Sequence, residues 1–217
     1  ADLLHRHRSL PRKYLVFTLS GDLALIIHLR MTGSLLYNPE SEVRFARIIF
    51  QFDEGSHLVF SDARRLGVMY LTSDADTVVS KLGQEPLDKA FTLARLAELL
   101  AKRKAPVKAV LLDQTVIAGV GNMYADESLF EAKIHPLREA GSLTSSEVSA
   151  LHKAIQRILE AAIVNKGASV RNYKRPDGGE GTAHFDFRVA HKGGEKCSRC
   201  NGTIERIVVR GRGTYYC

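Results

Sequence analysis

The apolar positions change period along the chain. Residues 12–72 carry short, β-branched runs separated by turn residues. "RKYLVFTLSGDLALIIHLRM" places two such runs around Ser20-Gly21-Asp22, and "FARIIFQFDEGSHLVFSD" repeats the pattern around Asp53-Glu54-Gly55. Gly and Asp between apolar runs are hairpin chemistry, and several strands at short spacing predict an antiparallel sandwich or barrel. From about residue 85 the spacing becomes helical. Leu93, Leu96, Leu99 and Leu100 share one face of a predicted helix with a basic end at Lys102, Arg103 and Lys104. A second helix is expected from Asn122, after the glycines of "GVGN", to near His135-Pro136. A third starts at "TSSE", a capping box at Thr144–Glu147, and Val148, Leu151, Ile155, Ile158, Leu159 and Ile163 recur at helical spacing until Gly167. Residues 168–184 are polar, glycine-rich and without period, which predicts a mobile loop. A small strand-like unit follows.

Composition narrows the function classes. The chain has 217 residues, 45% hydrophobic and 25% charged, an ordinary globular balance with enough length for two small domains and an appended finger. No apolar run approaches the roughly 18 residues of a membrane span, and "ADLLHRHRSL" has no signal-peptide core. The net charge of +7 favours a polyanionic partner, nucleic acid first, because cations that neutralise phosphates release counterions.

All three cysteines fall in the closing segment, Cys197, Cys200 and Cys217. Such clustering argues against a disulfide framework and for a local metal site in a reducing compartment. Cys197-x2-Cys200 is a zinc knuckle, and the later Cys217 fits the third ligand of a four-cysteine ribbon, with a fourth expected just beyond it. The chain opens on Ala1 rather than Met and closes on this ligand, so both ends are expected to be cut from a longer protein. Within the ribbon, Arg206, Arg210 and Arg212 alternate with apolar or small residues, as a hairpin with one basic face requires. The other reading of that pattern is a solvated face. "GVGN" before a helix suits an anion at the helix N-terminus, although many tight turns look alike. Taken alone, Met31 in "HLRMTGS" fits a core position, and Arg64-Arg65 in "SDARRLG" a surface turn.

Together these stretches are specific. The chain resembles the formamidopyrimidine-DNA glycosylase family of the helix–two-turn–helix superfamily. The resemblance rests on "RKYLVF", "IIHLRMTGSL", "SDARRLG", "LGQEPL", "VKAVLLDQTVIAGVGNMYADESLFEAKIHP" and the closing "RGTYYC", in that order over most of residues 12–217. It implies an α+β protein: an N-terminal antiparallel β-sandwich over 1–85 with its first part missing, a helix–two-turn–helix domain over 86–185, and a truncated β-hairpin zinc finger over 186–217. Loop 168–184 corresponds to the segment that covers the flipped base. The implied activity is base-excision repair: removal of 8-oxoguanine and formamidopyrimidines from duplex DNA, followed by AP lyase β,δ-elimination. The implied cofactor is one structural zinc on Cys197, Cys200 and Cys217. The implied setting is a monomer on double-stranded DNA in a bacterial cytoplasm, with no membrane partner.

Residue by residue, Lys13 matches a lysine that donates a proton during elimination. Arg212 matches the finger arginine of δ-elimination and phosphate gripping, and Arg210 lies beside it as a DNA contact. Asn122 matches a backbone-contacting asparagine, and Lys104 and Lys108 match lysines placed at the DNA or the lesion. Met31, Arg64 and Leu66 stand where three side chains fill the gap left by an everted base, an exchange in which a wedge offsets lost stacking. The chain departs from the family in three places. The family opens on Pro-Glu, whose amine forms a Schiff base, and residues 1–11 hold no such motif; the 217 residues alone are therefore expected to be inactive. Leu66 stands where the family has Phe, and a DNA-contacting histidine of the family falls near Phe45 and Arg47. The alternatives are a catalytically inactive binder of damaged DNA, an endonuclease VIII-like enzyme for oxidised pyrimidines, and a zinc-ribbon protein with RNA partners.

Overall fold

A computed structural model describes residues 13–170 and 173–217. Residues 1–12, where a Pro-Glu motif is sought, and Arg171-Asn172 of the 168–184 loop lie outside the described residues. The sheet region holds six strands, β1 (Tyr14–Thr18), β2 (Ala24–His28), β3 (Gly33–Tyr37), β4 (Ala46–Gln51), β5 (His57–Asp62) and β6 (Val68–Thr72). They form two antiparallel sheets ordered β1-β2-β6 and β3-β5-β4. Both expected hairpins are present. The Leu19 amide donates to Leu23 across Ser20-Gly21-Asp22, and the Phe52 amide donates to Ser56 across Asp53-Glu54-Gly55. Ile27, Leu35 and Phe60 form the buried centre, with Leu15, Leu25, Leu58 and Met69 packed on it, so both sheets feed one core as a sandwich does.

The helical region comprises α1 (Asp76–Val79), α2 (Leu93–Leu100), α3 (Val107–Leu112), α4 (Asn122–Ala132) and α5 (Ser145–Val164). In α2 the buried pair is Leu96 and Leu100, while Leu93 is 43% exposed. The capping box of α5 is formed in both directions: Glu147 Oε2 accepts from the Thr144 amide at 2.8 Å, and Thr144 Oγ1 accepts from the Glu147 amide at 3.3 Å. Such a cap contributes about 1 kcal/mol. Helix α3 was not expected from the sequence. Val107 to Leu111 are all buried, so no polar face marks its period.

The chain closes on hairpin β7 (Glu205–Val209) and β8 (Arg212–Tyr216). Arg210 and Gly211 form its two-residue turn with φ of 45° and 72°. Positive φ at both centres is the type I′ turn that matches strand twist. Register corrects one expectation. Arg206 pairs with Tyr215, and Arg212 pairs with Val209, so the two arginines lie on opposite faces, and the hairpin has no single basic face.

Two compact units result. One joins the described residues up to Ser80 with Ala162–Phe185; the other joins Lys81–Ala161 with Asp186–Cys217. The segment 168–184 therefore groups with the sheets, because the turn of chain after α5 carries it back to them; the Tyr37 amide donates to Pro176 at 2.8 Å.

Candidate nucleic-acid interface and metal centre

In the sheet unit, two loops meet at one carboxylate. Asp62 ends β5 and is fully buried. Its Oδ1 accepts from Thr32 Oγ1 and from the Arg64 amide at 3.2 Å, and its Oδ2 accepts from the Gly67 amide at 2.7 Å. Burial alone would raise this carboxyl. The hydrogen bonds from Thr32, Gly67, Arg64 and Leu66 outweigh it and hold the group below the usual carboxylate range. The loops so joined present Met31, 61% exposed, Leu66, 42% exposed, and the exposed Arg64, whose Nη1 donates to Met31 Sδ at 3.7 Å. Exposed apolar side chains on two loops tied to one carboxylate are surface features, so neither Met31 nor Leu66 fills a core.

Lys13 is exposed immediately before β1. Next to that strand's start, the His28 ring meets Tyr14 edge-on with centroids 4.5 Å apart. His28 Nδ1 accepts from the Arg30 amide at 2.9 Å, which fixes its neutral tautomer. Burial, then the Arg30 and Lys13 charges, lower its pKa to about 4, so this ring stays uncharged near neutrality. Phe45 lies under the Arg44 guanidinium at 4.6 Å, and Arg47 Nε donates to the Asp62 carbonyl at 2.9 Å.

In the helical unit, α4 carries a different side chain toward the finger at each turn. Asn122, its first residue, donates from Nδ2 to the Gly213 carbonyl at 2.8 Å. Asp126 is one turn further along, and its Oδ2 accepts from the Tyr215 amide at 3.2 Å. Buried Glu127 accepts the backbone amides of Arg188, Val189 and Ala190 in the approach to the finger. Phe130 then enters the finger's own core with Val189, Cys197 and Ile204. The N-terminus of α4 has no side-chain cap after extended Gly121, which leaves its first-turn amides without a side-chain acceptor there.

Lys108, which the resemblance places at the DNA or the lesion, is 0% exposed and turned toward protein partners. Its Nζ lies 2.6 Å from Asp126 Oδ1 and donates to Thr214 Oγ1 at 2.7 Å and the Gly213 carbonyl at 3.3 Å. Burial pushes the Lys108 ammonium down and Asp126 up to about 6, and their mutual attraction offsets only part of each shift. Lys108, Asn122 and Asp126 thus grip three consecutive β8 residues, Gly213, Thr214 and Tyr215. The preceding residue, Arg212, is exposed, as are Arg210 in the turn and Lys104 after α2. The anchoring of β8 lets Arg212 project from a fixed strand end.

The Sγ atoms of Cys197, Cys200 and Cys217 lie within 4.8 Å of one another, those of Cys200 and Cys217 at 3.3 Å. The knuckle supports its first sulfur: the Arg199 amide donates to Cys197 Sγ at 3.4 Å. Together with the Cys200 amide this pulls the Cys197 thiol down to about 7, whereas hydrogen bonds with Cys200 and Cys197 push Cys217 up to about 12. Three converging thiols, one of them readily ionised, fit a structural zinc ion; the metal would take them as thiolates and cross-link the knuckle to the end of β8. Arg199 also ties the knuckle to α4, donating to the Phe130 carbonyl at 2.8 Å with its guanidinium 4.1 Å from the Phe130 ring centre.

Asp62, Asp126, Glu127 and His28 went unnoticed in the sequence. The "SDARR" aspartate carried the one available signal, a charged residue at the end of an otherwise apolar strand. Among the described residues no helix is long and apolar enough to cross a membrane.

Known proteins match these features in order. The formamidopyrimidine-DNA glycosylase N-terminal domain matches residues 8–69, the H2TH domain of the same enzymes residues 82–174, and the zinc finger found in FPG and IleRS residues 194–217. Formamidopyrimidine-DNA glycosylase of Chloroflexus aurantiacus is 46% identical over 94% of this chain and 75% of its own length. That of Streptococcus pneumoniae is 40% identical over 94% and 77%. Among solved structures, the MutM (Fpg) protein of Thermus thermophilus superposes with a TM-score of 0.89 at 35% identity, covering 96% of this chain and 79% of that one. Lactococcus lactis Fpg in complex with an abasic site containing DNA gives 0.87 at 36%, covering 95% and 78%. The chain belongs to the formamidopyrimidine-DNA glycosylase family.

Proposed function

We propose that the protein is a base-excision repair glycosylase that removes oxidised purines, 8-oxoguanine and formamidopyrimidines, from duplex DNA and then cleaves the abasic strand by β,δ-elimination. The observation that carries this reading is the exposed Met31–Arg64–Leu66 tip, held on two loops by one buried carboxylate. A tip of two apolar side chains and a guanidinium suits insertion beside an orphaned base, where apolar area replaces lost stacking. Asn122, Arg212, Arg210 and Lys104 then grip the strand backbone, Arg212 also assists δ-elimination, and Lys13 supplies a proton. Loop 168–184 covers the everted base. The three modules act as a monomer on DNA in a bacterial cytoplasm.

The covalent step takes a secondary amine, and no Pro-Glu motif opens these 217 residues. The "ARRLG" turn with Met31 favours oxidised purines over the pyrimidines of endonuclease VIII-like enzymes. A nicking panel on the protein with its full native N-terminus tests this. Faster cleavage at 8-oxoguanine and formamidopyrimidine than at thymine glycol supports the reading, and the reverse order overturns it.

A further inference from the structure

We infer that Asp62 is a positioning residue for base eversion, its buried carboxylate locking two loops so that Met31, Arg64 and Leu66 enter the duplex as one rigid wedge. The inference rests on the lesion-eversion reading above and assigns that step a residue outside the tip.

The donors to Asp62 are distributed in a telling way. Thr32 follows Met31, Arg64 is a tip residue itself, and Gly67 follows Leu66, so each tip residue is bonded directly or through its neighbour. The Arg64 amide also reaches Thr32 Oγ1 at 3.3 Å, which closes a ring between the loops. Asp62's own backbone is tied down: its amide donates to the Phe45 carbonyl at 3.1 Å and its carbonyl accepts from Arg47 Nε at 2.9 Å. The charge is answered by amide and hydroxyl dipoles, and among the described residues no lysine or arginine forms an ion pair with it. A buried carboxylate so arranged favours one geometry of its donors over any looser one.

The loops themselves are under constraint. Arg30, before Met31, and Arg65, between Arg64 and Leu66, have φ of 55° and 56°. Non-glycine residues keep that left-handed conformation when their surroundings over-determine it. A Cβ on Gly67 would come within 2.5 Å of Phe60 Cζ and 3.2 Å of Asp62 Oδ2, so the loop is pressed onto the carboxylate. The tip is thus built to be stiff, and stiffness lowers the ordering cost of insertion.

The test uses the 217-residue zinc-loaded chain and a duplex carrying 8-oxoguanine, with 2-aminopurine placed next to the orphaned base. Insertion of the wedge unstacks the probe and raises its fluorescence. At saturating protein, Asp62→Asn is expected to lower the eversion equilibrium roughly tenfold, equivalent to about 1.4 kcal/mol. Thr32→Val, which removes one donor and leaves the carboxylate, should move it in the same direction and carries the test if Asp62→Asn does not fold. Affinity for undamaged duplex, set by phosphate contacts elsewhere, should change less than about twofold. Full fluorescence amplitude in both variants, with only the melting temperature lowered, would show a purely structural role and overturn the inference. If the unsubstituted chain gives no rise on lesion duplex, the eversion reading itself fails.

Discussion

Replacing Lys108 with methionine separates two accounts of that residue. The structure places its ammonium 2.6 Å from Asp126 Oδ1, with 0% and 1% of the two side chains exposed. Removing one member of a buried pair leaves the other charge uncompensated, a loss of about 3–5 kcal/mol. At roughly 2–4 °C per kcal/mol for a chain of this size, that is a fall of about 6–20 °C in melting temperature. The loss should depend on pH. Asp126 has a folded pKa raised to about 6, above its ordinary 3.8, so its ionised form penalises the fold. That penalty is absent below the ordinary value, builds up between the two values and is complete above the folded one. Without Lys108 the folded value climbs further, so the variant should lie closer to the parent at pH 5 than at pH 8. Adding Asp126→Asn should recover most of the loss at pH 8, because the amide oxygen can still accept from Tyr215. Thermal melts of the zinc-loaded chain at both pH values measure all of this. A variant that keeps its stability but loses DNA affinity, with the salt slope reduced by about 1, would refute the buried-anchor argument and restore Lys108 as a phosphate contact.

Arg212→Ala should lower DNA affinity and strand nicking while leaving the melting temperature within about 1 °C, since its side chain is exposed; an unfolded variant would contradict this. Chelation should release one zinc per chain, measurable by elemental analysis, and speed hydrogen exchange in β7 and β8 more than in α5; unchanged exchange would speak against the metal's structural role. Thr144→Ala should cost about 1 kcal/mol in denaturant melts, with DNA binding unchanged, because it removes the hydroxyl that caps the Glu147 amide.

The sequence was most informative where structure is local. The β1–β2 and β4–β5 turns, the start of α4 at Asn122 and the capping box of α5 depend on neighbours within a few residues. The knuckle of Cys197 and Cys200 is equally local. Helix α3 escaped because burial on every side erases amphipathic period. The burial of Lys108 was not legible because its partners, Asp126 and Thr214, are distant in sequence, and only folding brings them together. Arg206 and Arg212 were placed on one face by counting along the chain, but the two-residue turn sets the register and separates them. Asp62 went unnoticed because its hydroxyl donor, Thr32, comes from a second loop thirty positions earlier, and only folding joins it to the nearby Arg64 and Gly67 amides.

Borohydride trapping of the full-length native protein on a duplex with a single 8-oxoguanine tests the account most directly. A glycosylase that works through an N-terminal proline amine should form a covalent protein–DNA adduct on reduction, and this adduct should be absent with undamaged duplex. An intact protein carrying that proline and giving no adduct would contradict the account.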